Sequence, residues 1–235
     1  KAIRAKLFDD VLFRHRMLTA AGVPAPHVAH TTGDQLMILD ALQGRPLARA
    51  IFEPGDPCTP EQLIEVLDSM PASVAQLERR PPWSDAVQHY AEIVSSALPE
   101  VRGDLGWAAQ RIQIGLAGIP CGNEPTHGDF HEGQVHVAAG RVVGILDVDT
   151  IGPGRRADDL ACLIAHLSTI QRMNPAQEAK VRDLLARWVP VFDRRVDPVE
   201  LRLRTAAVVI SLATGPYRSQ EPNWQESTRH MVRSA

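Results

Sequence analysis

Cysteine is scarce and scattered. Cys58, Cys121 and Cys162 show no Cys-x-x-Cys spacing, which excludes a disulfide-stapled scaffold and a zinc knuckle and points to a reducing, cytoplasmic compartment. Long apolar runs are missing too: none reaches the roughly 18 residues of a membrane helix, and the opening KAIRAKLFDD lacks the apolar stretch of a signal peptide. That opening also lacks a Met, so the chain is expected to begin inside a longer protein. Charge of one sign is not in excess. The formal net charge is −3, so neither nucleic acid nor an anionic membrane surface is implied as a partner. Lysine is nearly absent, with 3 residues against 22 arginines, a bias from which no function follows. What is present is ordinary: 44% hydrophobic and 23% charged residues over 235 positions, enough to bury the core of one or two domains.

Residues 7–21 carry Leu7, Val11, Leu12, Met17 and Leu18 at helical spacing. Asp9 and Asp10 lie in the first turn, where carboxylates suit the helix dipole, and Gly22 follows the last. Val23-Pro24-Ala25-Pro26 cannot continue that helix. A hairpin is predicted next, residues 27–30 and 35–41 around Thr32-Gly33-Asp34. From Thr59 the texture turns helical. Thr59-Pro60-Glu61-Gln62 supplies a capping Thr, a Pro at the first helical position and a Gln at the third. Further helices are expected over 74–79, 84–97, 106–117, 156–169, 175–192 and 198–213, with one strand-rich island over 125–149.

That island holds the chemistry. HGDFHEGQVHV, residues 127–137, crowds His127, Asp129, His131, Glu132 and His136 into eleven positions. Residues 134–138 alternate as a strand, Ala139-Gly140 can turn, and residues 141–149 return as a second strand. Counting back from the turn sets Gln134 near Ile145 and Glu132 near Asp147. His127, Asp129, His131, Gln134, Asp147 and Asp149 then meet at one end of the hairpin. Several carboxylates held together call for a positive charge between them. Two readings stand at this point: a His/Asp metal cage, and a loop that handles a nucleoside triphosphate with Mg²⁺, a hard cation that prefers oxygen ligands.

HGDFHEGQV followed by ILDVDTIGPGRRADDLA resembles the two signature motifs of the aminoglycoside phosphotransferase and choline kinase-like superfamily. AAGVPAPHV is similar to that family's exit from the helix before a strand, and LMILDALQGRPL to its adenine-binding hinge. The resemblance covers most of residues 7–167. It implies an α+β, protein-kinase-like, two-lobed fold. Residues 1–42 would be the remainder of the N-terminal nucleotide-binding lobe with the hinge, and residues 43–235 a mainly helical C-terminal catalytic and substrate lobe with an embedded catalytic hairpin. The implied activity is transfer of the γ-phosphoryl group of ATP or GTP to a hydroxyl of a small metabolite or antibiotic, with Mg²⁺. Asp129 matches the catalytic aspartate, and His127 the histidine that supports its loop. Asp147 matches the metal-binding aspartate, with Asp149 as a second contact. Leu39, Asp40 and Ala41 match the hinge, Asp159 a structural aspartate, and Lys1 the lysine that pairs with the phosphates. Gln134 stands where the family has Asn, the second metal ligand. The sequence holds no Gly-rich loop before Lys1, so that loop is missing or lies upstream, and the expected helix Glu is absent after Lys1, with Asp9 or Asp10 as the available substitutes.

Each assignment has a plain structural alternative. Asp129 could cap its turn, and Asp147 and Asp149 could be solvated at a strand end. His131 and His136 read as surface or packing residues, Asp158 as a helix cap, and Trp83, Trp107, Trp188 and Trp224 as packing. Within the resemblance, a catalytically weak nucleotide-binding protein is the rival. Outside it, the rival is a hydrolase with a metal on His127, Asp129, His131 and His136. The acceptor is not legible: residues 45–120 hold ten Asp/Glu against six Arg, and residues 171–235 seven against eleven Lys/Arg.

Overall fold

The computed structural model describes residues 1–171 and 173–235. It divides into two units, Lys1–Arg80 with Asn123–Gly154, and Pro81–Gly122 with Arg155–Ala235.

The first unit opens with α1, Phe8–Ala20, whose Val11, Arg14, His15 and Leu18 form one buried stripe. The hairpin follows as expected: β1, Val28–Thr31, pairs antiparallel with β2, Met37–Leu39. The backbone at Lys1 continues that ladder, exchanging hydrogen bonds with Met37. Next come β3, Arg45–Pro46, the single turn α2, Leu47–Ala50, and α3, Pro60–Asp68. The Thr59–Gln62 capping box forms in full, and α3 buries Leu63, Val66 and Leu67. The segment over 74–79 is no α-helix but a 3₁₀ turn, Ala72–Gln76, which Leu77 ends in an extended conformation. The unit closes with β4, Glu124–Thr126, β5, Val135–Ala138, β6, Arg141–Ile145, and β7, Gly152–Gly154. β3, β5 and β6 form one sheet in the order β3-β5-β6, and β4 pairs with β7.

The β5–β6 loop is the two-residue turn the sequence suggests, with Ala139 at φ 50° and Gly140 at φ 72°. The register is one residue off the expected one. Ala138 faces Arg141 and Val137 faces Val142, but His136 faces Gly144 and Val135 faces Ile145. Val143 is the extra residue of a β-bulge, and the pairing beyond it slides by one.

The second unit is helical: α4, Val87–Ala97, α5, Arg102–Leu116, α6, Arg156–Ser168, α7, Pro175–Phe192, α8, Pro198–Leu212, α9, Gly215–Arg218, and α10, Trp224–Ser234. Its core joins Val87, Val94, Leu105, Ile112, Ala165 and Ile210, among others. α5 starts four residues before the expected 106, through Gly103 and Gly106. A helical Gly costs up to about 1 kcal/mol against Ala, and the buried Leu105, Ala109 and Ile112 offset that cost. Trp188 is buried edge-on to Phe192, but Trp107 is 66% exposed, with the Arg111 guanidinium over its ring.

A charged cluster ties α6 to α8. Arg155 grips both carboxylate oxygens of Glu200. Arg204 bonds Glu200, Asp158 at 2.7 Å and Ser84 at 2.8 Å. Asp158 caps the start of α6 from its third position, as expected of a helix cap: its carboxylate accepts from the Arg155 backbone N–H at 3.3 Å. Burial, with the charge of Asp159 beside it, outweighs Arg204 and pushes the Asp158 carboxyl up to about 6. Asp159 is buried against Arg156 at 3.0 Å, in keeping with a structural role.

Candidate active site

Two loops of the first unit build the site, residues 127–134 between β4 and β5 and residues 146–151 after β6. His127 is the brace between them. Its ring is fully buried; Nε2 donates to the Leu146 carbonyl at 2.8 Å and Nδ1 accepts the Asp129 backbone N–H at 3.3 Å, which assigns the ring proton of this brace to Nε2. The Thr150 hydroxyl donates to the His127 carbonyl at 2.8 Å, and the Leu146 N–H to the Gln134 carbonyl at 2.7 Å. Gly128 at φ 81° makes the closure possible. A Cβ there would meet the Thr150 carbonyl oxygen at 2.7 Å, and the left-handed φ disfavours any side chain as well.

Asp147 follows β6 in the left-handed region, φ 54° and ψ 47°, a conformation Asp tolerates better than most residues. A 3₁₀ turn, Val148–Thr150, comes next. The Lys1 ammonium sits between two carboxylates, bonded to Asp147 and 2.7 Å from Asp149. Burial works against the charged forms, yet the pairing prevails: Asp147 is held below the usual carboxylate range and Lys1 above the usual range for an amine. The Gln134 amide nitrogen lies 3.5 Å from Asp147. A cavity of about 320 Å³ opens here, lined by Lys1, Arg4, Arg80, Asp129, Asp147 and Asp149 among others.

The structure therefore brings Lys1, His127, Asp129, Gln134, Asp147 and Asp149 together. The residues expected to form the hinge lie on the link between the hairpin and the three-stranded sheet. Leu39 ends β2, the Asp40 N–H donates to the His27 carbonyl at 2.9 Å, and Asp40 and Ala41 are exposed. None of the three lines the cavity. The acid that pairs with Lys1 does not come from the start of α1: Asp10 is bonded to Arg14 at 2.9 Å, and Asp149 takes the place foreseen for it. The hydrolase cage does not form from the residues proposed for it. His136 Nδ1 lies against the Gln43 carbonyl and His131 Nδ1 accepts the Gly133 N–H. Among the described residues no cluster of three metal-binding side chains includes His127 or His136. Three contributors had no signal in the sequence: Arg14, whose guanidinium reaches the Ile151 carbonyl, His15 beside Asp149, and Arg80. Each reaches the site only through the packing of a separate segment.

The donor set suits a hard divalent cation. Asp147 and Asp149 offer carboxylate oxygens, the Gln134 amide, whose nitrogen faces Asp147, can offer its oxygen on turning, and Lys1 already holds a positive charge where the two carboxylates meet.

Solved structures share the fold. A choline/ethanolamine kinase family protein from Mesorhizobium loti aligns over 97% of this chain and 79% of its own, with TM-score 0.64 and 16% identity. An amicoumacin kinase in complex with AMP-PNP, Ca²⁺ and Ami aligns over 99% of this chain and 79% of its own, with TM-score 0.66 and 10% identity. The fold is accordingly α+β and protein-kinase-like. An uncharacterized protein of Deinococcus radiodurans is 38% identical over 66 residues, 27% of this chain and 19% of its own length. The model of the phosphotransferase enzyme family matches residues 5–195, and the chain belongs to that family.

Proposed function

We propose that the protein transfers the γ-phosphoryl group of ATP or GTP to a hydroxyl of a small molecule. The observation that carries this is one cavity lined by Lys1, Asp129, Asp147 and Asp149 in a chain of the phosphotransferase enzyme family. Asp129 accepts the proton of the acceptor hydroxyl as its oxygen bonds to the γ-phosphorus and the bond to the β-phosphate oxygen breaks, releasing the nucleoside diphosphate. The two hydrogen bonds of His127 hold the Asp129 loop against the strand end that carries Asp147. Lys1 would bind phosphate oxygens, and the 39–41 link would take the adenine or guanine. Asp147, Asp149 and Gln134 would hold Mg²⁺, which when bound neutralises phosphate charge. Catalysis on this reading is mostly positioning. The acceptor is a small hydroxylated metabolite or antibiotic, the class to which the acceptors of the kinases named above belong.

Asp129→Asn and Asp147→Asn separate the roles. The first is expected to lower turnover by about 10²–10⁴-fold and leave Mg-nucleotide affinity near the wild-type value, because Asp129 acts on the acceptor. The second is expected to weaken Mg-nucleotide binding and turnover together. Coupled-assay kinetics and calorimetric titration read the two quantities. Equal loss of nucleotide affinity in both variants would overturn the assignment.

A further inference from the structure

His15 is a polar side chain the site leaves unexplained. It lies on the inner face of α1, 1% exposed, and neither ring nitrogen makes a hydrogen bond of normal geometry, although the Pro26 backbone lies near enough to act on the ring. Nε2 stands 3.9 Å from Asp149 Oδ1. That oxygen is buried as well and accepts no hydrogen bond of normal geometry, although the Lys1 ammonium is 2.7 Å away. A buried donor and a buried acceptor each cost free energy when left unmade, and here they face each other about 1 Å beyond the usual N–H···O distance of about 3 Å. The two are held at that separation by their supports. α1 packs on the 148–150 turn, and Arg14, next to His15, is anchored on the Ile151 carbonyl.

Lys1 serves both Asp147 and Asp149, and Asp147 has the Gln134 amide besides. Nucleotide phosphates would compete for the same ammonium, and the buried Oδ1 of Asp149 would then need another donor even with the other carboxylate oxygen given to Mg²⁺. We propose that His15 is a positioning residue for nucleotide binding: it donates Nε2–H to Asp149 and holds that carboxylate in place when Lys1 turns to the phosphates. The inference rests on the phosphotransfer reading of this cluster. It gives α1 a part in the site although its sequence supplies no Glu to pair with Lys1.

The test is calorimetric titration of the full chain with Mg-ADP, for wild type, His15→Leu, His15→Gln and Asp149→Asn, with a melting temperature for each. His15→Leu is expected to bind roughly tenfold more weakly, the loss of one hydrogen bond to a charged acceptor. His15→Gln, which keeps an N–H of similar reach, is expected to recover affinity to within about twofold of wild type. In the Asp149→Asn background, His15→Leu is expected to add no further loss. Should the leucine variant fail to fold, His15→Asn, polar but too short to reach Asp149, takes its place and must show the same loss. Wild-type affinity in His15→Leu, or equal weakening in the Leu and Gln variants at equal melting temperature, overturns the proposal alone. A wild-type chain that ignores millimolar Mg-ADP overturns the phosphotransfer reading, and this inference with it.

Discussion

At the scale of single residues, the site turns on atoms placed to within a fraction of an ångström. Gln134 is the position where this matters most. Its amide already touches Asp147 at 3.5 Å through the nitrogen; turned about its last bond, the same amide offers its oxygen to a cation. The bulge at Val143 sets this geometry, since without it Gln134 would lie opposite Ile145 and not one residue further along. On that basis Gln134→Ala is expected to raise the Mg²⁺ concentration for half-maximal activity roughly tenfold, the size of one lost charge-assisted contact. Gln134→Asn is expected to retain most activity. A Mg²⁺ titration that is unchanged in the alanine variant removes Gln134 from the ligand set.

At the scale of elements, the α1 helix and the 148–150 turn act as a pair. Arg14 is 2% exposed, and its guanidinium spans from Asp10 on its own helix to the Ile151 carbonyl. An arginine in such a place is a clamp: remove it and a buried carbonyl is left without its donor. Arg14→Met keeps the length and the apolar stem but not the donors. It is expected to destabilise the protein by about 1–3 kcal/mol, the cost of an unsatisfied buried carbonyl, and to lower nucleotide affinity because the Asp149 turn is no longer held. Urea unfolding measures the first effect; an unchanged midpoint would show that the clamp contributes nothing net. Asp10 would then be left as a solvated acid in the first turn of α1.

At the scale of the whole molecule, stability depends on how charge is buried. Asp158, 16% exposed at its side chain, ionises near 6 in the folded chain against 3.8 in the unfolded one. A carboxyl whose folded value is raised binds more protons folded than unfolded in that window, so its contribution to stability falls as pH rises from about 3.8 to about 6. Asp147 and Glu200, held below the usual range by Lys1 and by the two arginines despite burial, slope the other way at lower pH. Asp158→Asn keeps an acceptor for Arg204 and removes only the titration. The stability difference between wild type and this variant is expected to shift in favour of wild type on going from pH 6.5 to pH 4.5. Denaturant titrations at the two pH values check it, and a difference independent of pH would show that Asp158 is not perturbed. No described helix is long and apolar enough to cross a membrane.

Local chemistry carried much of the fold. The capping box at Thr59, Pro175 and Pro198 at the first turns of α7 and α8, and the Ala139-Gly140 turn are each decided by neighbours within four residues, so their elements stand where the sequence puts them. The motif spacing likewise brought the Asp129 loop to the Asp147 strand end, since a two-residue hairpin leaves the chain no other course. What the sequence could not decide is every relation that depends on a distant segment. The bulge that moves the register by one is a compromise within a sheet. Lys1 meets Asp147 and Asp149 across 146 and 148 positions only because its backbone pairs with Met37 of β2. His15 and Arg14 read in the sequence as two polar residues in an amphipathic helix. Only the packing of α1 against the 148–150 turn buries them, because burial and partner are properties of the folded neighbourhood and not of the pattern along the chain.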